Sequence, residues 1–182
     1  MSKRSISIII LIVAVFTGLN SLFTMNEKQQ GLVLQFGEPK RVVKSSGLHF
    51  KLPLIQNVVR YDRRILEYDL PVEEVIAVDK KRMLIDSFTR FKITDPLEFY
   101  KTVGNEINVR NRLNSNVISS LRRVVGRVTL DELLSSERSD IMNRIKVEVN
   151  DEASRFGIEV VDVRIRRADL PEANSQAIFD RM

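Results

Sequence analysis

The sequence contains no cysteine and no tryptophan, and its only histidine is His49. Without cysteine there can be no disulfide, thiolate zinc site, iron–sulfur cluster or cysteine nucleophile. The redox compartment stays open, because a chain without cysteine suits reducing and oxidising surroundings equally well. A single histidine excludes histidine-rich metal sites and leaves His49 as the base of any serine triad. We therefore expect neither a metal site nor a cofactor.

Short catalytic motifs are missing as well. The chain has no G-x-G-x-x-G, P-loop, H-E-x-x-H, EF-hand loop or G-x-S-x-G elbow. A lone histidine such as His49 is usually a surface or hydrogen-bonded residue. Five carboxylates occur in a β-rich region, but their spacing defines no acid–base pair. They are Asp62, Glu67, Asp69, Glu73 and Glu74. The sequence indicates a protein that is not an enzyme. The alternative is an enzyme whose active site is assembled from residues scattered along the chain.

The composition is that of a globular chain with a small basic excess. Of 182 residues, 43% are hydrophobic and 29% charged, and the net charge is +5. Beyond an apolar N-terminal segment roughly 150 residues remain, enough for one ordinary domain or two very small ones. A basic balance suits nucleic acid, acidic lipid headgroups or an acidic partner, but an excess this small needs no partner to explain it.

The N-terminal segment predicts a membrane anchor. Residues 6–23 form an uncharged run of 18 residues, about 27 Å long as a helix and close to the hydrocarbon thickness. We expect residues 1–25 to be a cytoplasmic tip and a transmembrane helix. Lys3 and Arg4 precede the run, which favours a cytoplasmic N-terminus and a domain outside. The side chains expected in the bilayer are Ile9, Leu11, Val13, Phe16, Leu19 and Phe23.

Two alternatives for this segment are weaker. Lys3 and Arg4 followed by a short apolar run also suit a cleaved signal peptide, but no A-x-A site follows the run. A buried core helix is disfavoured because apolar residues cover every face from Ile8 to Phe16.

Residues 31–94 have the pattern of short strands separated by turns. Strands are predicted at 31–36, 41–44, 48–52, 56–60, 65–70 and 75–78, with a hairpin tip at 79–81. Lys80, Lys81 and Arg82 at that tip are interpreted as a solvated turn. In the longest strand, 82–94, the more apolar face carries Met83, Ile85, Ser87, Thr89, Phe91 and Ile93.

The pattern then changes to helices. Asp95 and Pro96 start a helix that ends near Gly104, and apolar spacing predicts a second helix over 107–125. A capping box at Thr129 opens a short helix to about 134, and a further helix ends at Gly157. A strand follows with Val161, Val163 and Ile165 on one face, and Pro171 opens a last helix. The order predicts an α+β fold with a mostly antiparallel sheet.

One stretch, residues 107–127, has the densest unbalanced charge. It could contact acidic lipid, nucleic acid or an acidic neighbouring subunit, or be the solvated face of a helix. Nucleic acid is the least favoured of these, because no aromatic residue interleaves with the arginines to stack bases. The candidate subunit-contact residues are Arg110, Arg112, Arg122, Arg123 and Arg127. Arg164, Arg166 and Arg167 could contact nearby acids such as Asp162 and Asp169, or a partner.

Several stretches resemble the SPFH (stomatin, prohibitin, flotillin, HflK/C) family. They are NEKQQGLVLQFG at 26–37, GLHFKLP at 47–53 and YDRR at 61–64. The stretches FKITDPLEFY at 91–100, RRVVGRVTLDELL at 122–134 and IEVVDVRIRRADLP at 158–171 are similar to the bacterial HflC branch in particular.

The resemblance implies an SPFH (band 7-like) domain over residues 26–171 and the start of a longer coiled-coil-forming helix at 172–182. It implies a scaffold that assembles with an HflK-like protein on the periplasmic side of the bacterial inner membrane. That assembly modulates the membrane-anchored ATP-dependent protease FtsH. Homo- or hetero-oligomers are expected, and nucleic acid is not.

A lipid-binding, membrane-organising module is the alternative function. In it, the loop that contains Leu48, Phe50, Leu52 and Pro53 contacts the membrane surface.

Overall fold

The computed structural model describes residue 18, residues 20–135 and residues 137–169. It divides the chain into two compact units, residues 1–64 and residues 65–182. Sequence patterning did not mark this boundary within the domain expected at 26–171. The last helix, expected from Pro171, and five anchor residues lie outside the described residues: Ile9, Leu11, Val13, Phe16 and Leu19. Within the described ranges, no helix is long and apolar enough to cross a bilayer.

The first unit is built from short antiparallel strands. β2 lies between β3 and β5 in one sheet, and β1 pairs with β4 in another. Phe23, Met25, Val33 and Val43 form a core against which Val58 packs. The strands are β1 (Leu22–Met25), β2 (Gln29–Gln35), β3 (Glu38–Val43), β4 (Gly47–Phe50) and β5 (Gln56–Asp62).

The expected membrane helix is wrong at its C-terminal end, because Leu22–Met25 is a strand. Phe23 is only 7% exposed and contacts the ring of His49, with ring centroids 5.6 Å apart. Burial alternates along the strand, so that Phe23 and Met25 enter the core. Phe23 is therefore apolar because it packs in the core of the first unit. An apolar run alone does not show where a helical pattern gives way to the period-two pattern of a strand.

The second unit combines one sheet with helices, and every strand pair among its described residues is antiparallel. β8 is central: β9 pairs along one side of it, and β6 and β7 follow one another along the other side. Its strands are β6 (Leu66–Asp69), β7 (Glu73–Ile76), β8 (Arg82–Ile93) and β9 (Ile158–Asp169), and its helices are α1 (Pro96–Thr102), α2 (Glu106–Val125), α3 (Leu130–Leu134) and α4 (Arg138–Ser154). The predicted α+β class is confirmed.

The buried face of β8 is the one predicted from its alternation. Each residue of the set from Met83 to Ile93 on that face is buried, including the polar Ser87 and Thr89. α4 packs against β9 and α2, and α2 also contacts β7. The sheet therefore has a buried face and a more exposed, charged face.

The alternation predicted for the last strand is wrong at Val161. Val160, Val163 and Ile165 are buried, whereas Val161 is only half-buried. The register with β8 shifts between Arg90 and Phe91, so that β9 carries one extra residue there. A bulge of this kind moves all following side chains to the other face, which explains why the period-two pattern fails.

Two predicted helix starts are confirmed. The Asp95 carboxylate accepts hydrogen bonds from the main-chain N–H groups of Leu97 and Glu98 at the start of α1. At α3, the Thr129 hydroxyl accepts from the Glu132 N–H, and the Glu132 carboxylate accepts from the Thr129 N–H. Both caps satisfy N–H groups that the first helical turn leaves without partners.

Gly157 makes the tightest connection in this unit. It has a φ of +70°, and its carbonyl accepts from the N–H groups of Thr94 and Asp95. A Cβ at Gly157 would lie 2.4 Å from the Asp95 carbonyl oxygen and 2.9 Å from the Phe99 nitrogen. Neither neighbour can move away easily, because both atoms are main chain.

We predict that Gly157→Ala lowers the free energy of unfolding by more than 2 kcal/mol, since a left-handed φ alone costs about 1–2 kcal/mol and the contact with Asp95 adds to it. Gly104→Ala is the control, because its φ is +81° but the nearest atom to its Cβ would be 3.9 Å away. Urea unfolding of both variants measures the difference. Equal losses would show that the close approach at Gly157 has no energetic consequence.

Candidate functional site

The first unit exposes a group of large apolar side chains at one end, here called the apolar tip. Leu54 is fully exposed, Phe36 is 81% exposed and Leu48 is 63% exposed. The tip consists of Phe36, Leu48, Phe50, Leu52, Leu54 and Ile55, each at least 41% exposed. Scattered exposed apolar residues are normal, but a contiguous group marks a surface that contacts a partner or a membrane.

Hydrogen bonds hold the parts of the apolar tip together. The Phe36 N–H, at the β2–β3 turn, donates to the Ile55 carbonyl over 3.4 Å. The Gln56 N–H donates to the Leu52 carbonyl, and the Leu52 N–H donates to the Gln56 side chain, each over 2.9 Å. Two loops distant in sequence therefore present their apolar side chains side by side.

The chain enters the first unit beside this tip. The Lys51 N–H donates to the Ser21 carbonyl over 2.7 Å, and Leu22 pairs with Phe50 in the β1–β4 register. Leu22 is itself 47% exposed. Ser21 lies at the end of the apolar run that we interpret as an anchor, so that run joins the first unit beside the tip.

The sequence identified only part of the apolar tip. Leu48, Phe50 and Leu52 are exposed as expected of a surface loop, whereas Pro53 is half-buried. Phe36, Leu54 and Ile55 were missed. The available signals were the turn at Gly37, directly after Phe36, and the apolar run LPLI at 52–55. Phe36 and Leu54 both have a positive φ, which projects them from tight turns.

Basic residues outnumber acidic ones in this unit. Between residues 20 and 64 there are eight Lys or Arg and three Asp or Glu. Lys51 lies within the β4–β5 loop of the tip, and Arg41 donates to the Phe50 carbonyl over 2.6 Å. Exposed apolar residues combined with lysine and arginine are the features that bind an anionic lipid surface.

The arginine-rich stretch is mostly engaged within its own unit. Arg122 forms an ion pair with Glu73 at 2.9 Å, and Arg123 with Glu148 at 3.1 Å. Arg110 lies over the ring of Tyr68, and Arg112 over the ring of Phe156. Among these five, Arg127 alone has no ion pair or aromatic contact with the described residues. The stretch is therefore less of a free basic face than its sequence suggested.

Each of the five carboxylates considered for catalysis faces an arginine. The pairs are Asp62 with Arg64 (2.7 Å), Glu67 with Arg90 (2.9 Å), Asp69 with Arg166 (2.7 Å), Glu73 with Arg122 (2.9 Å) and Glu74 with Arg82 (3.4 Å). Hydrogen bonds from Arg64 lower the pKa of Asp62 below its usual value, despite the opposing effect of burial. A general acid at neutral pH needs the opposite shift, so Asp62 has the chemistry of a structural ion pair.

His49 and the remaining basic clusters also have local partners. His49 Nε2 donates to the Ser45 carbonyl over 2.8 Å. Lys81 pairs with Asp79 at 3.0 Å at the hairpin tip, and Arg164 pairs with Asp162 at 2.6 Å. Arg166 pairs with Asp69 and Asp86, and Arg167 with Asp169. No group of three potential metal ligands occurs among the residues that the structure describes.

Comparison with known proteins gives a consistent result. The family model described as "SPFH domain / Band 7 family" matches residues 23–182. The chain is similar to Protein HflC of Haemophilus influenzae, with 33% identity over 90% of this chain and 59% of that protein. It is 32% identical to Protein HflC of Buchnera aphidicola subsp. Acyrthosiphon pisum, over 90% of this chain and 60% of that protein.

A third relative has a more informative name. The Escherichia coli (strain K12) protein is called "Modulator of FtsH protease HflC", and it is 28% identical over the whole of this chain and 68% of its own length. The chain spans about three fifths of the length of the first two relatives. The match from β1 through the last strand, together with the antiparallel α+β architecture, shows that this chain belongs to the SPFH domain / Band 7 family.

Proposed function

We propose that this protein is a non-enzymatic membrane scaffold that assembles with an HflK-like partner and modulates an FtsH-like membrane protease. The observation that carries the proposal is the match to the SPFH family together with relatives named HflC, one of them a modulator of FtsH protease. The ion-paired carboxylates support a role without catalysis, because none is positioned as an acid or a base.

The membrane side of the proposal rests on two adjoining features. The apolar run before Ser21 acts as a single-pass anchor in the bacterial inner membrane, with the N-terminus cytoplasmic and the domain periplasmic. The apolar tip lies beside Ser21 and Leu22, at the point where that run joins the first unit. Anchor and tip then contact the same membrane surface, which restricts how the unit can tilt.

The mechanism we propose is confinement within an assembly. Anchored copies form a lateral array with the HflK-like partner and control which membrane proteins reach the protease. The arginine-rich stretch is the proposed contact with an acidic neighbour. Because Arg122 and Arg123 already have carboxylate partners, such a contact would exchange exposed ion pairs, which contribute little individually.

The second candidate function is a lipid-organising module that does not regulate a protease. The exposed apolar tip and the basic excess of the first unit favour it specifically. The two functions share the membrane contact and differ in whether a protein assembly forms.

Assembly is tested by the native mass of detergent-purified complexes. We expect a chain extended into the long helix expected after Pro171 to form a large mixed complex with the HflK-like protein. We expect smaller species from the 182-residue chain if the long helix proposed after Pro171 is what assembles the complex. Monomers under every condition would contradict the scaffold and favour the lipid-organising module.

The apolar tip is tested by vesicle flotation of a chain that begins at Asn20. This start removes the predicted anchor and retains strand β1, whose Phe23 and Met25 belong to the core. We expect Phe36→Glu with Leu54→Glu to reduce binding to anionic vesicles about tenfold or more, because two apolar contacts are lost and two negative charges added.

Ile107→Glu with Val72→Glu is the matched control for that experiment. Both residues are exposed, at 71% and 59%, but belong to the second unit. Equal effects of the two double variants would show that charge alone decides binding and that the tip makes no specific contact.

A further inference from the structure

The cations of the second unit that have no carboxylate or aromatic partner are not spread evenly. Most of its lysines and arginines form ion pairs or lie over aromatic rings. Four that form no ion pair with any described residue lie on or beside α4. They are Arg127, Arg138, Arg144 and Lys146. Of these, Arg138 donates a hydrogen bond to the Ile165 carbonyl. That bond satisfies one of its N–H groups but does not neutralise its positive charge.

Two grooves run along the two sides of α4. The groove toward α2 has a cavity of about 360 Å³ and is lined by Arg127 and Arg144, among others. The groove toward β9 has a cavity of about 470 Å³ and is lined by Arg138, Lys146 and Arg164. The acids within the grooves, Glu148 and Asp162, are already paired with Arg123 and Arg164. Both grooves therefore keep an excess of positive charge.

Apolar surface accompanies this charge on the side of α2. Val147, on the exposed face of α4, is 61% exposed, and it lines the α2-side groove with Val124 and Val128. On the side of α3 the environment differs, because Arg127 and Arg144 there border a cavity that also contains Glu132, Glu137 and Asp140. An acidic ligand is therefore favoured between α2 and α4 and disfavoured toward α3.

We propose that the exposed face of α4 and its α2-side groove bind an acidic amphipathic segment of another protein. Apolar side chains of that segment would pack on Val147 and the groove floor, and its carboxylates would contact Arg127 and Arg144. Two arginines beside an apolar floor are typical of interfaces in which charge sets the partner and apolar burial supplies affinity. No aromatic residue lines the groove, so it lacks the stacking platform of a single-stranded nucleic-acid site.

This inference goes beyond the scaffold role and does not depend on it. It shares only Arg127 with the subunit contact discussed above. A chain that fails to assemble with an HflK-like protein could still bind an acidic segment at α4, and the converse also holds.

The test uses the full chain in nanodiscs of zwitterionic lipid, with empty nanodiscs as the blank, because a lysine-rich amphipathic peptide would bind anionic lipid directly. The probe is a fluorescent peptide of about 18 residues, long enough for five helical turns, with leucines on one face and glutamates on the other. A second peptide has the same sequence with every glutamate replaced by lysine. We expect the glutamate peptide to bind and Arg127→Glu with Arg144→Glu to raise its Kd about tenfold or more. Hydrogen exchange should show protection over α4.

Lys92→Glu with Lys101→Glu is the matched control, since it makes the same charge change at positions away from the α2–α4 groove. Lys92 pairs with Glu159 at 3.0 Å on the exposed face of the sheet, and Lys101 pairs with Glu98 at 3.6 Å on α1. We expect these two changes to alter Kd less than twofold, apart from long-range screening effects.

A second variant guards against loss of folding. Val147→Asp changes an exposed position and should weaken the glutamate peptide while the unfolding midpoint stays unchanged. Absence of glutamate-peptide binding, equal binding of the lysine peptide, or equal losses in the test and control variants would each overturn the proposal.

Discussion

The second unit depends on strand β8, which is the only strand of that unit with partners along both sides among the residues that the structure describes. Its buried face extends from Met83 to Ile93, and β6, β7 and β9 all take their register from it. A one-residue slip of β8 would turn that face to solvent and place its charged side chains in the core. Because of this constraint, the sheet has one defined buried face, and the pairs of Arg90 with Glu67 and of Lys92 with Glu159 lie on the other.

The same alternation explains which parts of the fold could be predicted from the sequence. β8 has twelve residues with a strict period of two, and α2 has a regular apolar stripe that the sequence predicted to within a residue. Bulges break that logic: β9 gains an extra residue near Val161, and its pattern could not be read without knowing the partner strand. The boundary at Arg64 was missed because no Gly- or Ser-rich linker marks it.

The candidate sites were less predictable than the fold. The exposure of Leu48, Phe50 and Leu52 could be predicted, because an apolar strand end before a proline was visible in one segment. Their contact with a membrane stays a prediction. Phe36 joins the same tip through the pairing of Gln35 with Gln56 and through the hydrogen bond from its N–H to the Ile55 carbonyl. Contacts of this kind join residues that are far apart in sequence, so a pattern within one window does not contain them.

Ion pairs between distant residues show most clearly that a local sequence pattern does not contain long-range contacts. Arg122 is 49 residues from Glu73, and Arg166 is 97 residues from Asp69, yet both pairs are direct contacts in the folded unit. A run of arginines without nearby acids therefore overstates the free charge of its helix. The informative cations are those that folding leaves without an ion pair. Arg127, in the turn after α2, and Arg144, on α4, form no ion pair with the described residues, and sequence patterning had treated their segments separately. Their charge is unmatched on the side of α2, since acids border them on the side of α3. An uncompensated charge beside an apolar floor is a reason to look for a ligand, because a surface evolved only for solubility has no need to combine the two.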